Sequence, residues 1–151
     1  MIRTHIAINL LFLLLFLGHV SNKLVFIPVV LIATILPDID TGFSTVGKLK
    51  TSRIIQYFVK HRGVFHSFSF CILVSLIFAF FIPVLAFPFF LGYSLHLFAD
   101  SFTLEGIKPF WPSKKSLSWK LRTGSLFETS LFVCFLVADL AVLAFLISGI
   151  F

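Results

Sequence analysis

The sequence predicts an all-α membrane protein, a bundle of about five transmembrane helices that forms one domain over residues 1–151. Of the 151 residues, 59% are hydrophobic and only 12% are charged, whereas a soluble domain carries about a quarter charged residues. The mean hydropathy is +1.09. This composition excludes a solvated globular enzyme, a disordered tail and a nucleic-acid-binding arm.

Five apolar segments, separated by polar stretches, supply the predicted spans: residues 4–20, 24–36, 64–82, 87–99 and 126–151. At about 1.5 Å per residue, the third and fifth segments are long enough to cross a hydrocarbon core of about 30 Å, and the second and fourth are short. Arg3 and the apolar run after it also resemble a secretory signal. No small-x-small cleavage motif follows, so we expect this segment to remain as the first membrane helix.

The few charged residues predict an orientation in the membrane. The chain has 12 Lys and Arg against 6 Asp and Glu, a net charge of +6. With the five spans as drawn, eleven of the twelve basic residues lie on one face: Arg3, Lys48, Lys50, Arg53, Lys60, Arg62, Lys108, Lys114, Lys115, Lys120 and Arg122. Because Lys and Arg accumulate in cytoplasmic loops, we expect a multi-pass membrane protein with this face and the amino terminus in the cytoplasm. Orientation and contact with anionic lipid headgroups would account for most of these residues.

Eight side chains of metal-ligating type lie at predicted helix ends on this same face. They are His5, Asp38, Asp40, His61, His66, His96, Asp100 and Glu128. His96 and Asp100 are spaced i, i+4 and therefore share one face of a helix. A donor set of nitrogen and oxygen without cysteine suits zinc or another divalent metal. Eight donors exceed what one tetrahedral ion uses, so we expect two or more zinc ions, with manganese or magnesium as alternatives.

Simpler interpretations apply to single members of this set. One His or Asp at a membrane interface is usually only an interfacial residue, and Glu128 in a first helical turn also interacts favourably with the helix dipole. His19 falls at the opposite face. Asp139 lies about 16 Å along the fifth span from Glu128, and we expect it to be paired within the bundle. Cys71 and Cys134 lie in apolar runs, so we expect them to be small core or lipid-facing residues with no disulfide bond between them.

Several sequence blocks carry a family resemblance. LPDID at 36–40, HRGVFHS at 61–67, LGYSLHLFAD at 91–100 and the segment from Gly106 to Pro112 resemble the signature blocks of the YdjM-like family of membrane-bound, metal-dependent hydrolases. The resemblance covers essentially the whole chain, and it implies that the protein lies in the inner membrane. The family is more remotely similar to zinc-dependent phospholipase C and P1-type nucleases, which use a His-x-x-x-Asp pair like His96 and Asp100. Three neighbouring positions depart from the usual pattern: Thr41, Phe65 and Leu95.

The favoured hypothesis is a metal-dependent hydrolase that acts at the cytoplasmic membrane surface on a phosphoester of a lipid or another anionic substrate. The eight residues above would hold the metal ions, and Asp38 or Asp40 would accept the proton of the attacking water. Arg62 would hold a phosphate oxygen, although membrane orientation explains it equally well. The expected partners are membrane lipids and the anionic substrate, with no stable nucleic-acid partner.

Two alternatives use other functional classes. A metal transporter or metal-sensing membrane protein would use the same ligands without hydrolysis, and it predicts polar residues that continue across the bilayer. The sequence supplies few of these: Ser75, Ser130, Asp139 and His19. A non-catalytic membrane interaction module would bind a partner through the loop at 111–115, a segment that is also typical of an interfacial Trp anchor with basic neighbours.

Overall fold

The computed structural model describes residues 2–40 and 64–149, and within these ranges all regular secondary structure is helical. In these ranges the α-helices are α1 (Ile2–Phe16), α2 (Lys23–Ile35), α3 (Phe68–Phe81), α4 (Pro83–Ser101) and α5 (Leu126–Ile147). A short 3₁₀ helix, Pro37–Asp40, follows α2. The predicted all-α class is therefore confirmed for the described residues.

Two of these helices are long and apolar enough to cross a membrane, namely α4 with 19 residues and α5 with 22. The others are apolar but shorter, with 15 residues in α1, 13 in α2 and 14 in α3. The sequence assigned the greater length to the third segment, but α3 starts only at Phe68 because Ser67 caps it. The fourth segment was expected to be short, but α4 already starts at Pro83, since proline is tolerated in a first turn.

Helix α4 lies at the centre of the packing, against α2 on one side and α3 on the other. Tyr93 and Leu97 of α4 are fully buried in the core between these helices, together with Ala33 and Cys71. Gly92 permits the close approach, because a Cβ added there would collide with the backbone oxygen of Val30. Small residues at such contacts let helix backbones come together in membranes.

Helices α1 and α5 form the other side of the bundle. Helix α1 packs against α5, α2 and α4, whereas only Glu128 and Asp139 are buried among the 22 residues of α5. Large apolar side chains are widely exposed, for example Phe80 of α3 at 83% and Leu126 of α5 at 88%. Monomeric soluble proteins rarely expose so much contiguous apolar surface, so this exterior is typical of a lipid-covered protein. Both cysteines are free thiols, so no disulfide bond joins them.

The loop between α4 and α5 folds over one end of the bundle, which we call the basic end. Its backbone pairs with itself, for instance through the Ile107 N–H and the Leu117 oxygen at 2.9 Å, and the Pro109 oxygen accepts the Phe68 N–H at 2.8 Å. Of the seven basic residues in the described ranges, Lys23 alone lies at the other end of the bundle. The other six are Arg3, Lys108, Lys114, Lys115, Lys120 and Arg122. The predicted charge asymmetry thus holds for this part of the chain.

Candidate metal centre

His96 and Asp100 lie in the last turns of α4, where their i, i+4 spacing puts them on one face of the helix. Both are buried, and His96 is only 1% exposed. The Nε2 atom of His96 lies 3.6 Å from Oδ2 of Asp100. This separation is too long for a good hydrogen bond. The two side chains therefore point to the same place without a good hydrogen bond between them.

His5 brings the start of α1 to the same point. Its Nε2 atom lies 3.0 Å from Oδ1 of Asp100, within hydrogen-bonding distance. Its ring centroid is 4.3 Å from that of His96. One turn further along α1, the Nδ2 amide of Asn9 donates to the backbone oxygen of His5 at 3.0 Å. His5 is thus fixed by contacts on both its ring and its backbone.

Asp38 reaches the cluster from the 3₁₀ helix that follows α2. Its Oδ1 atom lies 3.8 Å from Nε2 of His96 and 4.0 Å from Nε2 of His66. The Asp38 side chain is 23% exposed, unlike its buried neighbours. Asp38 therefore marks the side on which the cluster is open to its surroundings.

His66 directly precedes the first residues of α3. The neighbouring Ser67 begins the helix, since its Oγ accepts the Phe70 N–H at 3.2 Å. On the other side, the Tyr93 hydroxyl donates to the backbone oxygen of Phe65 at 2.6 Å and ties this turn to α4. The Nε2 atom of His66 consequently lies 3.6 Å from Oδ2 of Asp100.

These five side chains form one cluster with the donor atoms that a metal ion needs. They fall into two overlapping sets, His5 with His96 and Asp100, and Asp38 with His66 and His96, and the donor atoms of each set lie within 4.8 Å of one another. Neither ring nitrogen of His96 has a hydrogen-bond partner among the described residues. Two donors of one tetrahedral zinc ion, at about 2.0–2.2 Å from it, lie about 3.3–3.6 Å apart. Four of the observed separations, 3.6–4.0 Å, are close to or slightly above this spacing, and the His5–Asp100 separation of 3.0 Å is slightly below it.

The other predicted ligands lie elsewhere or outside the described residues. The two carboxylate oxygens of Glu128 accept from the Thr4 hydroxyl at 2.9 Å and from the Gly124 N–H at 2.6 Å, apart from both donor sets. Asp40 ends the 3₁₀ helix, and its side chain is not described. His61 and Arg62, like Thr41, lie outside the described ranges. Metal binding by these residues and catalysis by Arg62 stay predictions.

Asp139 differs from expectation. Its side chain is buried, at 3% exposure, but neither carboxylate oxygen has a hydrogen-bond partner among the described residues. The expected pairing within the bundle is therefore absent from this part of the structure. A carboxylate buried without a partner is energetically unfavourable at membrane depth.

Sequence reasoning missed two polar residues that support the cluster, namely Asn9 and Tyr93, and also missed Thr4, which bonds to Glu128 instead. A usable signal was present, because Asn9 follows His5 by four residues and Tyr93 precedes His96 by three. Of the departures from the family pattern, Phe65 contributes its backbone oxygen to Tyr93. Leu95 is half-buried among apolar neighbours of α1 and α2.

Comparison with known proteins agrees with the resemblance seen in the sequence. The family model described as YdjM inner membrane protein matches residues 1–150, and the chain therefore belongs to this family. Among curated proteins and among solved structures, no significant match was found. The family description and the two long apolar helices together indicate a protein of the inner membrane.

Proposed function

We propose that this member of the YdjM inner membrane protein family is a metal-dependent hydrolase of phosphoester bonds, in a lipid or another anionic substrate. The buried cluster of three histidines and two aspartates supports the proposal most directly. Five ionisable side chains from four segments are costly to bury together unless they bind a shared partner. A divalent cation is the partner that suits this donor set.

The proposed ligands are His5, Asp38, His66, His96 and Asp100, with zinc as the favoured metal and manganese or magnesium as alternatives. Asp40, His61 and Glu128 remain candidates for a second ion. A metal bound here would supply Lewis-acid catalysis and lower the pKa of a water from 15.7 toward about 7. The hydrogen bond from Asn9 to the His5 backbone and that from Tyr93 to the Phe65 backbone keep two of the ligands oriented.

Asp38 is the best candidate to accept a proton from the attacking water. Its carboxylate is the most exposed one among the five cluster residues, at 23%, and it lies within 4.0 Å of two imidazoles. A carboxylate so positioned can act as general base. We assign Arg62 to hold the phosphate oxygens, since a guanidinium binds such groups in a bidentate manner. Asp40 would bridge two metal ions.

The proposed arrangement in the membrane has five spans, with the amino terminus and the cluster at the cytoplasmic face. The basic end of the bundle carries the cluster as well as six of the seven described basic residues. Positive charge accumulates on the cytoplasmic side of membrane proteins. An enzyme oriented in this way would meet its substrate at the inner leaflet.

One observation favours metal transport as a second candidate. Asn9, one turn beyond His5, and Asp139 of α5 are both buried, and Asn9 Oδ1 and both oxygens of Asp139 have no hydrogen-bond partner among the described residues. The other residues of the suggested pathway do not extend it. Ser75 and Ser130 donate to backbone oxygens of their own helices, and His19 is exposed. Metal flux into proteoliposomes that Asp139→Asn abolishes would favour transport over hydrolysis.

The test of the hydrolase is turnover by the full chain in detergent, on phosphatidate, phospholipids and nucleotides, before and after metal removal. We expect a chelator to abolish hydrolysis and zinc to restore it. Asp38→Asn should lower kcat by about 10²–10⁴-fold, as loss of a general base does, and Asp139→Asn should keep full turnover as the matched control. Equal turnover with and without metal would contradict the proposal.

A further inference from the structure

A long groove runs down the bundle between α1, α4 and α5, beginning under the loop at the basic end. Its volume is about 970 Å³, at the upper end of the range for small-molecule sites. The walls are almost entirely apolar and include Ile8, Leu95, Phe98, Leu131 and Phe135. From Glu128 to Phe135 the groove follows two turns of α5, a length of about 10 Å.

The groove becomes polar only where it reaches the basic end. Lys120 and Arg122 line it there, together with Thr4 and Glu128, whose side chains are hydrogen-bonded to each other at 2.9 Å. Lys120 and Arg122 are both exposed, so a ligand can reach them. The groove therefore combines a positively charged entrance with an apolar interior.

The groove shares a wall with the metal cluster. Thr4 and Ala99 line the groove, and each directly precedes a member of the cluster, His5 or Asp100. A ligand whose charged group lies at the entrance would therefore have that group beside the cluster and its apolar part between the helices.

We propose that this groove binds an anionic phospholipid, with its phosphate at Lys120 and Arg122 and an acyl chain between α1, α4 and α5. Two basic side chains complement a phosphate, and apolar walls complement a hydrocarbon chain. The proposal that a lipid binds here is inferred from the groove alone. That the bound lipid is also the substrate rests on the proposed hydrolase function.

A second cavity, which also lies against α1 and α5, shows what distinguishes this groove from an ordinary lipid-facing gap. That cavity has a volume of about 620 Å³ and lies at the opposite end of the bundle, between α1 and α5. Its lining includes Leu14, His19, Val142 and Phe145, and no Lys or Arg among the described residues lines it. Bulk lipid chains would fill such a gap without selecting a headgroup, whereas Lys120 and Arg122 select for negative charge.

Fluorescence quenching of Trp119 tests the proposal, because Trp119 lines the groove and Trp111, the other tryptophan of the chain, does not. The full chain carrying Trp111→Phe is reconstituted in phosphatidylcholine vesicles with increasing fractions of brominated phosphatidate or brominated phosphatidylcholine. We expect phosphatidate to reach half-maximal quenching at a mole fraction at least threefold lower. The companion variant Trp119→Phe, which retains only Trp111, should show no such preference.

Paired variants test whether the lipid preference depends on residues of the groove or on residues elsewhere on the surface. Lys120→Ala with Arg122→Ala should abolish the preference for phosphatidate, and Lys114→Ala with Lys115→Ala, in the same loop but away from the groove, should keep it. Leu131→Phe should reduce quenching by filling the groove, unlike Leu140→Phe on an exposed face of α5. Equal quenching by both lipids, or equal loss in the two double variants, would overturn the proposal.

The experiments distinguish a failure of the lipid-binding proposal from a failure of the hydrolase proposal. His96→Ala should remove the metal and leave the lipid preference intact. If the original chain prefers phosphatidate but hydrolyses no lipid, the result would support lipid binding in the groove and contradict the hydrolase function. Hydrolysis of soluble phosphoesters without any lipid preference would contradict lipid binding in the groove and would still support the hydrolase function.

Discussion

Nε2 of His5 lies 3.0 Å from Oδ1 of Asp100, although the two residues are 95 positions apart in the chain. The contact joins the start of α1 to the end of α4, and both side chains are buried. A buried polar group that loses its partner pays the desolvation penalty without compensation. The pair therefore links the stability of the bundle to the construction of the metal cluster.

This link predicts that His5 and Asp100 are energetically coupled. In the presence of a chelator, His5→Ala and Asp100→Ala should each destabilise the full chain in detergent. The double variant should be more stable than the sum of the two single changes in unfolding free energy predicts, by about 0.5–3 kcal/mol, as for other residues in direct contact. Chemical unfolding of the four proteins measures this difference. His5→Ala combined with Asp139→Asn is the control, and it should be additive; additivity of the His5 and Asp100 changes would contradict the contact.

Tyr93 should affect the metal without touching it. Tyr93→Phe removes the hydroxyl that donates to the Phe65 backbone at 2.6 Å and loosens the turn that carries His66. We expect metal affinity to fall by about 10-fold, at the lower end of the effects seen when ligand supports are lost. Competition with a chelator of known affinity measures it. Ser75→Ala removes a hydroxyl that donates to the Cys71 backbone oxygen of its own helix, and it should leave affinity unchanged. An equal effect of both changes would rule out a positioning role.

Gly92 should be required for the packing of α4 against α2. In an open helix, alanine is about 1 kcal/mol more favourable than glycine. At this position, however, the added methyl group would collide with the Val30 backbone oxygen, and overpacking typically costs about 1–3 kcal/mol. Gly92→Ala should therefore lower the Tm in detergent. Gly18→Ala, where nothing lies within 4 Å of the added carbon, should leave it nearly unchanged. A Gly92→Ala protein as stable as the original would contradict the close approach.

The sequence predicted which end of the bundle would gather the candidate ligands, because charge pattern and helix ends are local properties. His5, Asp38, His66, His96 and Asp100 do meet at the basic end. The spacing of His96 and Asp100 needed only helical periodicity. Their function as metal ligands stays a prediction.

Other features depend on tertiary packing and could not be predicted locally. The hydrogen bond of Glu128 to Thr4 spans 124 positions and follows from how α1 and α5 pack. The start of α3 at Phe68 depends on the Ser67 cap and on the Pro109 oxygen of a distant loop. The groove arises only when three helices and a loop are assembled, so the proposed lipid contacts of Lys120 and Arg122 could not be predicted from the sequence.

The metal content of the purified full chain tests the central claim most directly. Elemental mass spectrometry of the detergent-solubilised protein should find at least one equivalent of zinc, manganese or magnesium per chain. His96→Ala should remove at least nine-tenths of it, because His96 belongs to both donor sets. His19→Ala, an exposed histidine at the opposite end of the bundle, should retain it in full. Equal metal content in the His96→Ala and His19→Ala proteins, or no metal in the original chain, would contradict the account.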